Sequence, residues 1–261
     1  MKDTGSDNCA THSMSSENQQ SITATMAEPN HLYQYSLINA LMAGVADSGI
    51  SVSEFIKKGS QGIGTFTKIE GELVLLDGKV YQLQANGGIR IAQDDEQLPY
   101  AVATEFVADV TLDIELATKD GVDRVLQDFD DHAKNLFLSY RIDGAFRMVK
   151  ARTVKGQEYE GQSLAELGPK QEVHTFDNVK GTVVGFRAPA TWQGFMVAGE
   201  HMHFIDEERK AGGHVLELKS EGTVKIGVAV INNVHIELPK SRSFNAANMK
   251  TDDSGVKGVE G

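Results

Sequence analysis

Short segments of alternating apolar and polar residues, separated by turn signals, run through most of the chain from Ile63 onwards. A period of two is typical of a strand with one buried face, and an Asp-Gly pair between two such segments indicates a tight hairpin. Residues 72–76 and 79–84 show this pattern on either side of Asp77-Gly78. Glycine supplies 26 of the 261 residues, which is above the ~7% average and suits a turn-rich β architecture.

The same alternation predicts further strands along the chain. We expect them over residues 63–69, 101–107, 111–116, 136–142, 145–154, 173–176, 181–186, 201–205, 214–218 and 223–238. A second Asp-Gly pair, Asp143-Gly144, predicts another hairpin turn between two of these strands.

The sequence also predicts three helices, two of them before the strand pattern begins and one within it. Apolar residues at three- and four-residue spacing predict a helix over residues 34–47. Ser51 and Glu54 have the spacing of a capping box, which predicts a short helix that ends at Gly59. A third apolar face, which begins at Val122, predicts a helix over residues 121–133. The fold class is therefore a mixed α+β fold, with mixed or antiparallel sheets and a few flanking helices.

Changes in composition suggest how the chain is divided. Residues 1–30 are polar and have no apolar periodicity, so we expect a disordered leader there. Glycine and proline concentrate over residues 155–169, which predicts a boundary near residue 165. We therefore expect two strand-rich domains: an N-terminal α/β domain over residues 31–165, and a C-terminal β-rich domain over residues 166–261.

The charge balance and the single cysteine exclude several classes of protein. With 25 basic and 37 acidic residues, the net charge of −12 argues against binding of a nucleic-acid backbone. There is no apolar run of the ~18 residues that a membrane span needs, and no apolar signal segment. We expect a cytoplasmic protein, with secretion left open if a signal has been removed. Because Cys9 is alone, an intrachain disulfide is impossible, and any metal must be held by histidines and carboxylates.

Three of the eight histidines lie within one stretch of fifteen residues that ends at His214. His201 and His203 are two apart, so they share one face of a strand. A turn at residues 211–213 returns the chain, so that His214 joins them from the next strand. Three imidazoles with one open position are typical of a catalytic zinc site. We expect no metal role for His12, which lies in the polar leader, and structural roles for the isolated His132, His174 and His235.

Longer motifs, distributed along most of the chain, resemble those of the alpha-acetolactate decarboxylase family. The motifs run in order from His31 to Leu238: YQYSLINALMAGV, GIGTFTKIEGELVLLDGKVYQ, YRIDGAF, VKARTV, VKGTVVGF and HMHFIDEERKAGGHVLEL. The resemblance implies zinc-dependent decarboxylation of 2-acetolactate to (R)-acetoin and CO2, in acetoin and 2,3-butanediol biosynthesis. It also implies a two-domain α/β fold and a homodimer.

The resemblance assigns roles to particular residues. It implies that Zn²⁺ is held by His201, His203 and His214. By the matching motifs, the catalytic residues are Arg152 and Glu72, and Thr65 borders the substrate pocket. A glutamate near the C-terminus reaches the metal in the family, and Glu260 is the matching candidate here.

The chemistry of acetolactate explains why these residue types are needed. Loss of CO2 leaves an enediolate, and a bound cation stabilises this negative charge as it develops. Arg152 can pair with the carboxylate or with an enediolate oxygen through its planar guanidinium. Glu72 or Glu260 can deliver the proton that completes the product. The sequence leaves open which group is the donor.

Two alternatives remain open at this point. In a cupin-type metal dioxygenase or isomerase, the HxH pair would be joined by Glu207, but the chain has no second cupin motif of the PxGxxHxxxN type. Glu207 also lies among charged residues that favour an exposed turn. A non-enzymatic β-rich binding module would carry the HxH pair by chance, and a metal assay distinguishes it from an enzyme.

Overall fold

Two large β-sheets contain most of the strands of the computed structural model, which describes residues 27–249. The strands are β1 (His31–Tyr35), β2 (Ile50–Ser51), β3 (Gln61–Thr65), β4 (Glu72–Leu76), β5 (Lys79–Leu83), β6 (Ile89–Ile91), β7 (Gln97–Leu98), β8 (Tyr100–Thr104), β9 (Val110–Glu115), β10 (Phe137–Thr153), β11 (Glu172–Ala188), β12 (Gly199–Asp206), β13 (Gly212–Ser220), β14 (Thr223–Ile231) and β15 (Asn233–Glu237). The helices are α1 (Ile38–Met42), α2 (Val52–Phe55), α3 (Asp120–Gln127), α4 (Asp130–Ala133), α5 (Leu164–Leu167) and α6 (Arg242–Ala246). Short 3-10 helices cover Ile56–Lys58, Thr67–Ile69, Gly168–Lys170 and Ala190–Trp192. No helix in this part of the chain is long and apolar enough to cross a membrane.

Antiparallel pairing dominates both large sheets. The seven-stranded sheet has the order β15-β1-β8-β3-β4-β5-β6, and its single parallel pair is β1 with β15. The six-stranded sheet has the order β11-β12-β13-β10-β14-β9. Because β10 also pairs with β11, the strands β10, β11, β12 and β13 close into a ring. The predicted strand-rich architecture, with several sheets and few helices, is confirmed.

The two large sheets pack against each other through one hydrophobic core. Val74 and Leu83 of the seven-stranded sheet share this core with Phe186 and Ile205 of the six-stranded sheet. A second core lies on the other face of the six-stranded sheet, where α3 contributes Val122 and other residues. Residues that alternate with the second core along β12 and β13 therefore point into the layer between the sheets.

The predicted hairpin turn at Asp143-Gly144 is wrong, because both residues lie inside β10, a single strand of 17 residues. Asp143 accepts hydrogen bonds from Thr182 Oγ1 at 2.7 Å and from Arg141 Nε at 2.8 Å. Gly144 lies where a Cβ atom would come within 2.6 Å of Val224 Cγ1. Close packing within the sheet, and not a turn conformation, requires the glycine. By contrast, β4 and β5 do form the hairpin predicted from the first Asp-Gly pair.

The first predicted helix is much shorter in the structure. Residues 34 and 35 belong to β1, and α1 covers only Ile38–Met42. Pairing of β1 with both β8 and β15 overrides the helical spacing of the apolar residues. The capped second helix is confirmed, because Ser51 Oγ accepts a hydrogen bond from the Glu54 amide. The third prediction, over residues 121–133, corresponds to two helices, α3 and α4.

Several strand boundaries also differ from the predictions. The strand predicted over residues 63–69 ends at Thr65, because Lys68 and Ile69 adopt positive φ angles of 62° and 56°. The two strands predicted over residues 173–186 are one strand, β11. The segment predicted over residues 223–238 is divided into β14 and β15, which belong to different sheets.

Residues 27–30, the last four of the predicted leader, belong to the described part of the chain. The Asn30 amide donates to Glu105 O at 2.9 Å, and its side chain bonds the backbone of Val107. The asparagine side chain thus satisfies backbone groups that would otherwise need water. Residues 1–26, with Cys9 and His12, lie outside the described part. Each large sheet takes strands from both sides of residue 165, and the two-domain division there stays a prediction.

Candidate metal centre

Strand β12 presents two histidines to the layer between the sheets. Met202 and Phe204 point into the second core. His201 and His203 alternate with them, so they face the seven-stranded sheet. Both histidines are buried. The period of two in the sequence therefore predicts their shared orientation correctly.

The pairing of three neighbouring strands brings a third histidine and an arginine beside them. His203 on β12 lies directly opposite His214 on β13. His214 in turn lies opposite Arg152 on β10. Residues that are directly opposite in a sheet point to the same face. The three side chains therefore form one row across the sheet.

A tight turn fixes the register between the two histidine-bearing strands. Asp206, at the end of β12, accepts hydrogen bonds through Oδ1 from the amides of Lys210 and Ala211, at 2.6 and 2.8 Å. Its own amide donates to Ala211 O at 2.9 Å. The turn covers residues 207–211, so Gly212 is already part of β13, where a Cβ atom would meet Phe204 O at 2.4 Å. The glycine allows the two backbones to approach.

The three histidines form a compact group with the geometry of a metal site. One ring nitrogen from each of His201, His203 and His214 lies within 4.8 Å of the others. Their ring centroids are 5.0 to 5.5 Å apart. Within the described residues, this is the single group of three or more potential metal ligands that meets at one point.

Burial keeps two of these imidazoles, those of His201 and His214, in the form that binds metals. Burial, followed by the charges of Arg152 and Lys119, lowers the pKa of His201 to about 3. Burial and then the charge of Arg152 hold the pKa of His214 well below its usual range. A metal ligand must be a neutral imidazole. The site therefore favours the neutral rings at physiological pH.

One backbone contact from the opposite sheet sets the tautomer of His203. Its Nδ1 lies 2.8 Å from the carbonyl oxygen of Leu73, on β4. A carbonyl can only accept, so Nδ1 carries the proton and Nε2 carries the lone pair. Such a bond to the second ring nitrogen is typical of metal-binding histidines. The donor set thus fits a divalent metal such as zinc.

A buried ion pair lies beside the histidines. Arg152 Nη1 donates to Glu72 Oε1 at 2.9 Å, and the two residues are 2% and 7% exposed. The other carboxylate oxygen, Oε2, lies 3.5 Å from His203 Nε2. Glu72 comes from β4 of one sheet and Arg152 from β10 of the other. The carboxylate therefore lies between the guanidinium and the metal-binding face.

A small cavity adjoins this group. Its polar side is lined by Thr65, Glu72, Arg152 and His201. Thr65 is buried, and its hydroxyl donates to Gly71 O at 2.7 Å. The cavity brings the guanidinium and a histidine of the metal group to one surface. Thr65 therefore lines this cavity, and its contact with a substrate stays a prediction.

The remaining candidate residues lie elsewhere. His132 contacts Phe129, His174 stacks on Phe176, and His235 stacks on Tyr33. Glu207 is exposed in the turn after β12 and does not join the histidines, which removes the geometric basis of the cupin alternative. Glu260 lies outside residues 27–249, so its contact with the metal stays a prediction.

Sequence reasoning missed two supports of the site. The Leu73 carbonyl has no side-chain signal, because any residue supplies the same group. Asp206 does have one, since an aspartate at the start of a turn commonly accepts hydrogen bonds from the following backbone amides.

Comparison of the sequence with known proteins indicates one family. A sequence model described as alpha-acetolactate decarboxylase matches residues 32–251. The chain is 38% identical to alpha-acetolactate decarboxylase of Bacillus subtilis strain 168 over 226 residues, which are 86% of this chain and 88% of the relative. It is 41% identical to the Methanosarcina mazei protein of the same name over 222 residues, with 84% and 75% of the two chains covered.

The fold agrees as well. The crystal structure of alpha-acetolactate decarboxylase from Bacillus subtilis strain 168 superposes with a TM-score of 0.84 at 35% identity, covering 88% of this chain and 99% of that one. A Staphylococcus aureus protein whose structure is described as similar to alpha-acetolactate decarboxylase superposes with a TM-score of 0.80 at 28% identity. The chain therefore belongs to the alpha-acetolactate decarboxylase family and is a carboxy-lyase.

Proposed function

We propose that the chain converts 2-acetolactate to (R)-acetoin and CO2 with a zinc ion held by His201, His203 and His214. The observation that carries the proposal is the meeting of a buried three-histidine group with the Arg152–Glu72 pair at one cavity. A structural zinc site needs neither a buried guanidinium nor a cavity. The family, shared with relatives named for this activity, supports the choice of substrate.

Zinc is the metal that best suits this donor set. Three neutral imidazoles without thiolates are typical of catalytic zinc sites, which keep a further position for substrate or water. When bound, the ion supplies a Lewis acid that stabilises negative charge on the substrate's hydroxyl and ketone oxygens. The Leu73 carbonyl holds the His203 ring in the required tautomer.

Arg152 binds and orients the anionic part of the substrate. Its Nη1 donates to Glu72 Oε1, and a planar guanidinium matches the two oxygens of a carboxylate, or an enediolate oxygen, through parallel N–H groups. Because the site is buried, such a hydrogen bond is stronger than in water. The bond between the carboxylate carbon and C2 breaks, and its electron pair remains on the substrate as an enediolate.

Glu72 is the group that we assign to proton delivery. The enediolate must gain one proton on carbon to become acetoin, and Glu72 Oε2 lies on the metal-binding side, 3.5 Å from His203 Nε2. Glu72 is a carboxylate while it pairs with Arg152, so it must first take up one proton from solvent and then pass that proton to carbon. Delivery to one face of the planar enediolate would give a single configuration, (R)-acetoin.

Two further features rest on the family resemblance. Glu260 would approach the metal from the C-terminal segment and is the alternative proton donor. The protein would form a homodimer, which light scattering on the purified protein measures directly.

The direct test is a decarboxylation assay with metal analysis. Purified protein is mixed with racemic 2-acetolactate, and CO2 and acetoin are followed with and without a chelator. We expect acetoin formation that the chelator abolishes and added zinc restores. Acetoin formation no faster than the spontaneous reaction, in protein with one zinc per chain, would refute the proposal.

A further inference from the structure

The cavity beside the metal centre has an apolar side that the chemistry so far does not use. Two helices that lie outside the large sheets supply three residues of that side: Ile38 and Leu41 from α1, and Leu164 from α5. All three side chains are buried. We call these three residues the apolar wall.

The wall leaves very little free space. The free space in the cavity is about 20 Å³, which is that of one water molecule. A substrate therefore needs the lining side chains, those of the wall among them, to move outward. Each additional methylene group on the substrate increases the movement that is needed.

Hydrogen bonds tie the wall to its surroundings, so its movement has an energetic cost. The first amides of α1, at Ile38 and Asn39, donate to the carbonyls of residues 195 and 194 at 3.0 and 3.1 Å. The Gln157 side chain donates to Gly44 O and to Gln162 O, both at 2.8 Å, which links the segments after α1 and before α5. A complete capping box begins α5.

From this arrangement we infer that the apolar wall, and Leu164 in particular, limits the size of the alkyl substituent that the enzyme accepts on C2 of its substrate. The inference rests on the proposed decarboxylation. A 2-hydroxy-3-oxo acid presents its carboxylate, hydroxyl and ketone to Arg152 and the metal, so its alkyl groups face the opposite side of the cavity. That side is the apolar wall.

Leu164 has a matched control on the same helix. Leu167 is also a buried leucine of α5, at 1% exposure against 2% for Leu164, and it belongs to the same hydrophobic core. It does not line the cavity. Truncation of either leucine removes the same number of atoms from the same core. Only the truncation of Leu164 enlarges the cavity that would hold the substrate.

The test compares two substrates that differ by one methylene group. Racemic 2-acetolactate and 2-ethyl-2-hydroxy-3-oxobutanoate are assayed separately with the zinc-loaded wild type, Leu164→Ala and Leu167→Ala, and the ratio of their kcat/KM values is taken. Since one methylene in an apolar pocket is worth ~10-fold or more in discrimination, we expect Leu164→Ala to shift the ratio about 10-fold towards the ethyl substrate. Leu167→Ala should keep the wild-type ratio.

Each outcome decides the matter. Equal ratios in the wild type and Leu164→Ala, or the same shift in Leu167→Ala, would overturn the inference. If Leu164→Ala does not fold, as judged by its circular dichroism, Leu164→Val and Leu41→Ala serve in its place, with smaller shifts expected in the same direction. A wild type that is inactive on both substrates would refute the proposed decarboxylation, which is a distinct result.

Discussion

Arg152 Nη1 on β10 and Glu72 Oε1 on β4 are 2.9 Å apart, and this buried contact joins the two large sheets beside the three histidines. Removal of one partner from a buried ion pair leaves an uncompensated charge, at a typical cost of ~3–5 kcal/mol. A substitution that tests the chemistry must therefore keep the charge or the hydrogen bond.

The first prediction concerns Arg152→Lys. Lysine keeps the positive charge but loses the planar fork that binds a carboxylate through two N–H groups. We expect kcat for 2-acetolactate to fall by about 100- to 1000-fold, the effect of removing one preorganised donor. The zinc content should stay near that of the wild type. Steady-state kinetics and elemental analysis on the same preparation measure both.

A partly exposed arginine on the same strand provides the control. Arg141 is also on β10 and is paired with Asp77 and Asp143, so Arg141→Lys should leave kcat unchanged. Glu72→Gln keeps a hydrogen-bond acceptor for Arg152 and should lower kcat to a similar degree. A higher KM at unchanged kcat in the Arg152 or Glu72 variant would mean that the residue only binds the substrate.

The second prediction concerns the metal. His203→Ala removes one of three imidazoles, and a divalent ion binds far more weakly to the remaining two. We expect zinc to fall from one per chain to well below that after dialysis. His174→Ala, a histidine stacked on Phe176 away from the site, should retain zinc. Undiminished zinc in His203→Ala would contradict the ligand assignment.

Zinc should also stabilise the fold, because a ligand that binds only the native state adds to its stability. A chelator should therefore lower the melting temperature of the wild type and of His174→Ala. It should have little effect on His203→Ala. Differential scanning calorimetry distinguishes these cases without any assay of activity.

Local patterns predicted the metal group better than its surroundings. His201 and His203 share a face because the strand period is two, and a short turn returns the chain to His214; both are local properties of the sequence. The Glu72–Arg152 contact joins residues 80 positions apart, and spacing alone cannot predict it. The motifs that resemble the family identified both residues.

Where local sequence patterns gave wrong or no predictions, tertiary packing determines the structure. Pairing of β1 with two strands outweighed the helical spacing after Gln34. The Leu73 carbonyl contacts His203 only because one sheet packs on the other. Leu164 lies in a segment predicted to be a boundary loop, where nothing in the sequence indicates that its side chain lines a cavity.

The third prediction tests why the two Asp-Gly pairs differ. At Gly78 the φ angle is +75° and an added Cβ would contact nothing. Gly78→Ala therefore lowers the free energy of unfolding only because alanine is strained at a positive φ angle. At Gly144 an added Cβ would lie 2.6 Å from Val224 Cγ1, and such overpacking costs ~1–3 kcal/mol. Val224→Ala should therefore recover part of the stability lost in Gly144→Ala and none of that lost in Gly78→Ala. Urea denaturation of the double-mutant cycles measures this coupling, and equal coupling in both cycles would contradict the strand assignment.

The last prediction concerns Asp206, which holds the turn between His203 and His214. Its Oδ1 accepts two backbone hydrogen bonds, from the amides of Lys210 and Ala211. Asp206→Ala leaves both amides without this acceptor, and we expect a loss of about 2 kcal/mol in the free energy of unfolding. Because the turn sets the register of β12 against β13, the histidine nitrogens should also be less well placed for a metal. We expect zinc affinity to fall by about tenfold, as for other residues that support metal ligands.

Two variants separate that role from a general effect of charge. Glu208→Ala removes an exposed carboxylate from the same turn, whose pair with Lys210 lies at the surface, and it should change neither stability nor zinc affinity. Asp206→Asn keeps an acceptor oxygen without the charge, so its losses should lie between those of the wild type and Asp206→Ala. Urea denaturation of the apoprotein and competition with a zinc chelator measure the two quantities separately. If Asp206→Ala lost stability but kept the zinc affinity of the wild type, the turn would support the sheet alone, and the register of His203 and His214 would have to be held by the strands themselves.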